Sequence, residues 1–294
     1  MLQQLLLKSI TRWKRASCII FYEFPSVARN QTTGIKVSLT TSISFALRSY
    51  FSVNHISSAA LFAREAYRLE RDHGNLGTNV PEEIRLGHVA FVNGSILFAA
   101  FFLEAYINEI FSDISDAFLS LEQNRKNIPS HKLISISNLP PMIGGEITEE
   151  VVRRVGGMWP TIEKLPTLQK YQTALVLNDK QRLVEGAGTY QDADLLVKLR
   201  NYLAHFYPEA LKTPGSDDFT EEDIHKLGKR FQSKNLTFNP FTSPGNPFFP
   251  DQCLGHGCAE WAVNASVKFV NEFSSNTVWK PLRFESTKGR LQTK

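Results

Sequence analysis

Three side chains that can act together on a phosphodiester lie near the end of one apolar segment: Arg200, Asn201 and His205. A histidine titrates near neutral pH and can serve as general base or general acid. An arginine can hold a phosphate through two parallel hydrogen bonds and stabilise charge in the transition state. The asparagine can orient the histidine or contact the nucleic-acid backbone. RNA carries its own nucleophile, the 2′-hydroxyl, which DNA lacks. The three residue types therefore predict cleavage that is specific for RNA.

The segment that carries these residues has the pattern of an amphipathic helix. Its apolar side chains recur at helical spacing and form one stripe: Leu195, Leu196, Leu199, Tyr202, Leu203 and Phe206. On an ideal helix Arg200 lies roughly 100° from the centre of this stripe, and His205 lies roughly 120° away on the other side. The two side chains therefore flank the core face and are not adjacent. They can share a site if the last turn before Pro208 loosens, or if a twofold partner places one copy's arginine near the other copy's histidine.

A second polar pair interrupts the most apolar part of the chain. Glu104 and Asn108 are four residues apart and share one face of a helix. A buried carboxylate is costly without a partner, and Arg200 is the partner that we prefer. The alternatives are that Glu104 faces solvent or pairs with another base such as Arg64.

The combination of an arginine, a polar residue and a later histidine resembles the signature of the HEPN (higher eukaryotes and prokaryotes nucleotide-binding) superfamily. It is matched by Arg200, Asn201 and His205, and Glu104 is similar to the polar residues that such proteins carry on an earlier helix. The resemblance implies a helical bundle, often a homodimer, in which two motifs form one cleft. In active members it implies metal-independent RNA cleavage. A toxin-like or phage-defence ribonuclease, with an antitoxin as a further partner, is the role most in keeping with the family.

The same residues also allow a structural interpretation. Arg200 can make an ion pair, and His205 can cap the carboxyl end of its helix. The chain would then be a non-catalytic helical module that binds a protein or a nucleotide. The ranges 57–111 and 248–262 look similar to uncharacterised bacterial helical proteins, which supports the fold more than any function.

Helical periodicity, capping residues and proline stops predict an all-α protein, a HEPN-like helical bundle with a long central helix and long irregular loops. The expected helices cover residues 54–71, 82–121, 167–177, 191–207, 220–231 and 258–273. Asn54 is the expected cap of the first helix, which should lie on the surface of the bundle. Residues 124–160 and 234–251 are expected to be irregular, because glycine and proline pairs break any pattern there.

Charge and composition divide the chain into three parts. The 294 residues are 42% hydrophobic and include 21 Phe, which favours one large core rich in aromatic rings. Residues 1–64 carry a net charge of +7, so the remainder of this chain of net charge +4 carries −3. We expect a basic, poorly structured extension over residues 1–52, which is either a targeting segment or a stretch that adds little to the fold. The helical domain should cover 53–278, followed by a flexible basic tail over 279–294.

Three cysteines do not make a disulfide framework and suit a reducing, cytoplasmic setting. Cys253, His256 and Cys258 offer three soft-metal ligands, whereas structural zinc usually needs four, and a fourth such as His225 is not indicated. We therefore expect packing cysteines, with neither metal nor cofactor. The apolar range 89–111 is long enough to raise a membrane question, but it contains two glutamates and two asparagines. A buried central helix, without a transmembrane segment, is the preferred interpretation.

Overall fold

The computed structural model describes residues 49–127, 143–144, 149–205, 225–277, 279–281, 284, 287, 289 and 291–294. Residues Phe51–Lys294 form one compact unit, separate from Met1–Tyr50, so the division falls close to the predicted boundary after residue 52. Some predictions lie outside the described residues: most of the extension, the first residues of the helix expected over 220–231 and the proline stop at Pro208.

The described part of the chain is all-α, as predicted. Its α-helices are α1 (Ser52–His73), α2 (Glu82–Asn127), α3 (Glu149–Gly156), α4 (Trp159–Ile162), α5 (Thr167–Leu177), α6 (Gly188–Ala204), α7 (Lys226–Gln232) and α8 (His256–Ser275). A 3₁₀ turn over Gly74–Asn79 links α1 to α2, and a π turn over Phe248–Gln252 precedes α8. Two short antiparallel strands, β1 (Ile143–Gly144) and β2 (Lys280–Pro281), pair with each other.

Helix α1 packs on α2 through small side chains on one face, and its remaining residues are intermediate or exposed. Its buried face consists of Ser52, Ile56, Ala59, Ala60, Ala63 and Ala66. Four alanines on one face let the two helix backbones approach closely. Leu61, which lies away from this face, is 43% exposed.

The amino terminus of α1 is capped by a distant carboxylate and not by Asn54. The backbone N–H groups of Phe51 and Ser52 donate to Glu109 Oε1 at 2.7 and 2.8 Å. The Ser52 hydroxyl donates to Glu109 Oε2 at 2.5 Å. The first N–H groups of a helix have no partner within it, and a negative charge there also meets the positive end of the helix dipole. Glu109 of α2 therefore fixes where α1 begins.

Helix α2 is the central element and packs against α1, α3, α6 and α8. Within the described residues, one stretch, Glu82–Leu119, is long and apolar enough to cross a membrane, and 44% of its most apolar window is buried inside the fold. Length and composition alone do not separate a membrane span from the core helix of a soluble protein.

The prediction that residues 124–160 are irregular is wrong for its described carboxyl-terminal part, which contains α3 and the first residues of α4. Gly156 is the last residue of α3, and no side chain fits at this position. An added Cβ would overlap Phe118 and approach the carbonyl oxygen of Ile114 to 3.2 Å. The glycine pair that argued against a helix is thus a point of close contact with α2.

The core is aromatic, as the 21 Phe residues predicted, and part of it comes from the expected flexible tail. Trp279 and Phe284 are 0% and 1% exposed and belong to the main hydrophobic cluster. Near the end of the chain, the Gln292 carbonyl accepts from Arg64 Nη1 at 3.2 Å, and the Thr293 hydroxyl donates to Glu260 at 3.0 Å. The described residues of 279–294 therefore pack on the bundle, contrary to the expected flexible tail.

Candidate functional site

Helix α6 presents the predicted site residues. Leu195, Leu196 and Leu199 are fully buried and anchor one face of the helix in the core. The Arg200 side chain, beside that face, is only 21% exposed, whereas Asn201 and His205 are exposed. The helix ends at Ala204, three residues earlier than predicted, because His205 has the non-helical backbone angles φ −122° and ψ 41°. His205 still donates its backbone N–H to the Asn201 carbonyl at 2.9 Å.

Glu104 of α2 holds the Arg200 guanidinium. Arg200 Nη2 lies 3.2 Å from Glu104 Oε2, so these two residues, 96 positions apart, form the pair that the sequence suggested. The sequence predicted a buried carboxylate. The Glu104 side chain is instead 40% exposed. Arg64, the alternative partner, instead donates to the Gln292 carbonyl. Arg200 Nε is buried and has no hydrogen-bond partner among the described residues.

A buried lysine extends this charged group. Lys170 of α5 is 2% exposed, and its ammonium donates to Asn108 Oδ1 at 2.9 Å. Burial lowers the pKa of Lys170, while the negative charges of Glu104 and Glu163 oppose that shift. Asn108 lies one turn after Glu104 on α2. Three helices, α2, α5 and α6, therefore bring together one carboxylate, one amide and two cationic side chains.

Lys170 was not among the site residues predicted from the sequence, although its position on a helix indicates burial. Ala174 and Tyr171 lie on the buried side of α5, and Lys170 precedes Ala174 by one helical turn. A charged residue on the apolar face of a helix needs a partner. The same logic that singled out Glu104 therefore also points to this lysine.

The structure does not bring Arg200 and His205 together within one chain. Both residues are described, and no hydrogen bond or ion pair joins them; the paired partner of Arg200 is Glu104. This is the arrangement expected for side chains that flank an apolar stripe on opposite sides. One chain alone offers a positioned arginine and, at the helix end, a separate exposed histidine.

The cysteines and histidines considered as metal ligands make other contacts in the structure. Among the described residues there is no cluster of three or more potential ligands. Cys253 and Cys258 are buried, and the hydrogen bond that the Cys258 thiol donates to Cys253, together with burial, raises the pKa of Cys258. His256 Nε2 lies 3.1 Å from the Thr293 carbonyl oxygen. His225 Nδ1 accepts the Leu227 backbone N–H at 3.1 Å, which caps α7.

His88 is a buried histidine to which no role was assigned from the sequence. It is 0% exposed, and its Nε2 lies 2.7 Å from Glu70 Oε1. The same oxygen accepts the backbone N–H of His256 at 2.6 Å, so Glu70 joins α1, α2 and the start of α8. The sequence does contain a signal for this burial. His88, Val92 and Ile96 recur every four residues and share one buried face of α2.

No family model matches this sequence, and comparisons with curated proteins and with solved structures gave no significant match. The likeness to the HEPN superfamily therefore rests on Arg200, Asn201, His205 and Glu104 alone.

Proposed function

We propose that this protein is a HEPN-like, metal-independent ribonuclease that uses Arg200 and His205. The observation that carries the proposal is the Arg200 guanidinium fixed by Glu104 across two helices, while His205 is exposed five residues later on the same segment. Lys170 adds positive charge beside this pair. A cationic group of this kind favours a phosphate ligand.

The proposed reaction is a transesterification. The 2′-oxygen attacks the adjacent phosphorus, the O2′–P bond forms, and the bond from phosphorus to the 5′-oxygen breaks. One histidine takes the proton from the 2′-hydroxyl, and a second acid returns a proton to the departing 5′-oxygen. Arg200 stabilises the charge on the phosphoryl oxygens, and Asn201 contacts the RNA backbone or orients the histidine. Asn108 supports the site by holding Lys170.

A homodimer completes this proposed site. Since Arg200 and His205 flank opposite sides of the apolar stripe, a twofold arrangement of α6 brings one copy's histidine near the other copy's arginine. The dimer then contains two such sites, each with the arginine of one copy and the histidine of the other. A cytoplasmic role as a toxin or in phage defence, with an antitoxin as partner, belongs to the same proposal.

The first experiment incubates the full chain with labelled RNAs of varied sequence in EDTA. We expect the native chain to cleave RNA, and His205→Ala to reduce the rate by about 10²-fold or more, which is typical of a lost general acid or base. His73→Ala is the matched control, because His73 also lies at the carboxyl end of a helix, and it should leave the rate unchanged. Absence of cleavage, or equal cleavage by native chain and His205→Ala, overturns the proposal.

Mixing two inactive variants tests the shared site. If each site takes its arginine from one copy and its histidine from the other, a heterodimer of Arg200→Met and His205→Ala chains contains one intact site. Random exchange of equal amounts should then restore about a quarter of the native activity, since half of the dimers are mixed and each has one working site. No restoration after confirmed exchange shows that the site does not combine residues of two copies in this way.

The alternative, a non-catalytic binding module, is favoured by one observation. Arg200 is already paired within a single chain and keeps only 21% of its side-chain exposure, as expected of a structural ion pair. That function predicts no cleavage of any RNA, together with saturable binding of a protein or nucleotide that depends on Arg200. Cleavage assays, together with fluorescence anisotropy of a labelled nucleotide for the native chain and Arg200→Met, separate the two functions.

A further inference from the structure

A row of six aromatic rings lies along the surface where α1 packs on α2. Each ring centroid in the row lies 5.5–6.0 Å from that of a neighbour. Phe51 is 55% exposed and Phe101 is 37% exposed, while the other four rings are half-buried. A patch of large apolar side chains that remains open to solvent indicates a binding surface. This aromatic surface consists of Phe51, His55, Phe62, Phe91, Phe98 and Phe101.

The contact between the two helices fixes the aromatic surface and leaves it uncharged. A Cβ added at Gly94 would lie 2.7 Å from the Phe62 ring, so a larger residue there would displace that ring. Burial lowers the pKa of His55 below its ordinary 6.5, so near neutral pH the His55 ring carries no charge. The six rings therefore offer flat apolar faces to a ligand and no charge of their own.

One end of the aromatic surface lies beside the Arg200 group. Phe101 precedes Glu104 by three residues, so the two side chains are neighbours on α2, about 4.5 Å apart along the helix axis. Glu104 Oε2 in turn lies 3.2 Å from Arg200 Nη2. Stacked nucleotides of one strand are spaced by about 3.4 Å. A phosphate at Arg200 and a base on Phe101 therefore fit positions that are about one or two nucleotides apart.

The two carboxylates beside this surface are each engaged by positive charge. Glu104 pairs with Arg200. Glu109 accepts the first N–H groups of α1, where the positive end of the helix dipole lies. Both carboxylates therefore repel a phosphodiester chain less than free ones would. Apolar rings next to a guanidinium match the chemistry of nucleic acid, in which bases alternate with phosphates.

We propose that the aromatic surface stacks unpaired bases of single-stranded RNA beside a phosphate held at Arg200, an inference that rests on the RNA binding in the proposed function. Every base has a flat apolar face, so stacking on aromatic side chains depends little on sequence. In a duplex the bases stack on one another and are not free to contact the rings. The substrate class is therefore single-stranded RNA of varied sequence.

Fluorescence anisotropy of the full-length His205→Ala chain in EDTA measures RNA binding without cleavage. The probe is a labelled oligo(A) of about 12 nucleotides. It is compared with a chain of the same length that lacks bases, and with oligo(A) paired to oligo(U). Oligo(A) should bind at least about fivefold more tightly than either, the range expected for one stacked base. Equal affinity for oligo(A) and the abasic chain, or no saturable binding of oligo(A), overturns the proposal.

Variants of Phe101 test whether the ring itself is needed. Phe101→Leu keeps an apolar side chain without the ring and should weaken oligo(A) binding about fivefold or more. Phe101→Trp keeps an aromatic ring and should retain the affinity. Phe238→Leu is the matched control, because Phe238 is 56% exposed and lies outside the aromatic surface; it should leave the affinity unchanged. Unchanged affinity in Phe101→Leu, or equal weakening in Phe238→Leu, refutes stacking at this surface.

Two further measurements identify other occupants of this surface. If Phe101→Leu converts a dimer into monomers in sedimentation, a second copy covers the rings and the proposal is wrong. If the native chain binds phosphatidylcholine vesicles and Phe101→Leu does not, the occupant is a lipid surface and the proposal is also wrong. Binding of oligo(A) that depends on Phe101, without cleavage by the native chain, supports this inference and overturns the ribonuclease. Cleavage together with binding that is independent of Phe101 does the reverse.

Discussion

The pair between Glu104 and Arg200 should contribute little to stability even though it organises the candidate site. At 3.2 Å, two unit charges in bulk water attract each other by about 1.3 kcal/mol. The side chains are 40% and 21% exposed, so water screens this attraction, and ordering two long side chains opposes it. We expect a coupling free energy of about 0.5–1 kcal/mol.

A double-mutant cycle measures this coupling. The free energy of unfolding in urea is compared for the native chain, Glu104→Gln, Arg200→Met and the double variant. The two single changes should differ, because Arg200→Met leaves a glutamate that water can reach, whereas Glu104→Gln leaves a mostly buried guanidinium. Glu104→Gln should therefore reduce the free energy of unfolding more than Arg200→Met does.

The pair between Arg230 and Asp194 is the matched control. It joins α7 to α6 at 2.9 Å, and its side chains are 32% and 33% exposed. Asp194→Asn with Arg230→Met should give a similar coupling and no change in RNA cleavage. A coupling above about 3 kcal/mol for Glu104 and Arg200 would refute this reasoning, because that value is typical of breaking a fully buried pair. A coupling of zero would show that screening and side-chain ordering offset the attraction completely, contrary to the expected value of about 0.5–1 kcal/mol.

Two further predictions concern other charged groups. Glu109→Gln removes the charge that caps α1 at Phe51 and Ser52; it should reduce the free energy of unfolding by about 1 kcal/mol in urea titrations, and an unchanged value would show that the cap contributes nothing. Burial lowers the pKa of Lys170 below the ordinary 10.5, so the folded state binds fewer protons than the unfolded state at alkaline pH. The native chain should therefore gain stability over Lys170→Met as the pH rises toward 10.5, with Lys198→Met as an exposed-site control; a constant difference contradicts the assigned burial.

The helices with complete local patterns were predicted well. Helix α5 was predicted to the residue, because its apolar side chains recur regularly. Helix α6 was predicted with a shift of three residues. The contact between Glu104 and Arg200 was also predicted, since a carboxylate within an apolar helix requires a partner.

The remaining features depend on residues far away in the sequence. Glu109 caps α1 from 57 positions away, and no local pattern distinguishes it from a surface glutamate. Gly156 resembles a helix breaker unless the contact with Phe118 is known. His88 is buried because Glu70 and the turn before α8 meet it, and each of those groups belongs to a different element. Such contacts become visible only when the helices are assembled.

The connection between Glu104 and Arg200 also has an evolutionary consequence. Because the two residues are 96 positions apart yet in direct contact, a substitution at one changes which residues are tolerated at the other. Sequence drift in α2 and α6 is therefore coupled at this point. His205 bonds through its backbone N–H to the Asn201 carbonyl of its own helix, so we expect substitutions at position 205 to be less coupled to α2 than substitutions at position 200.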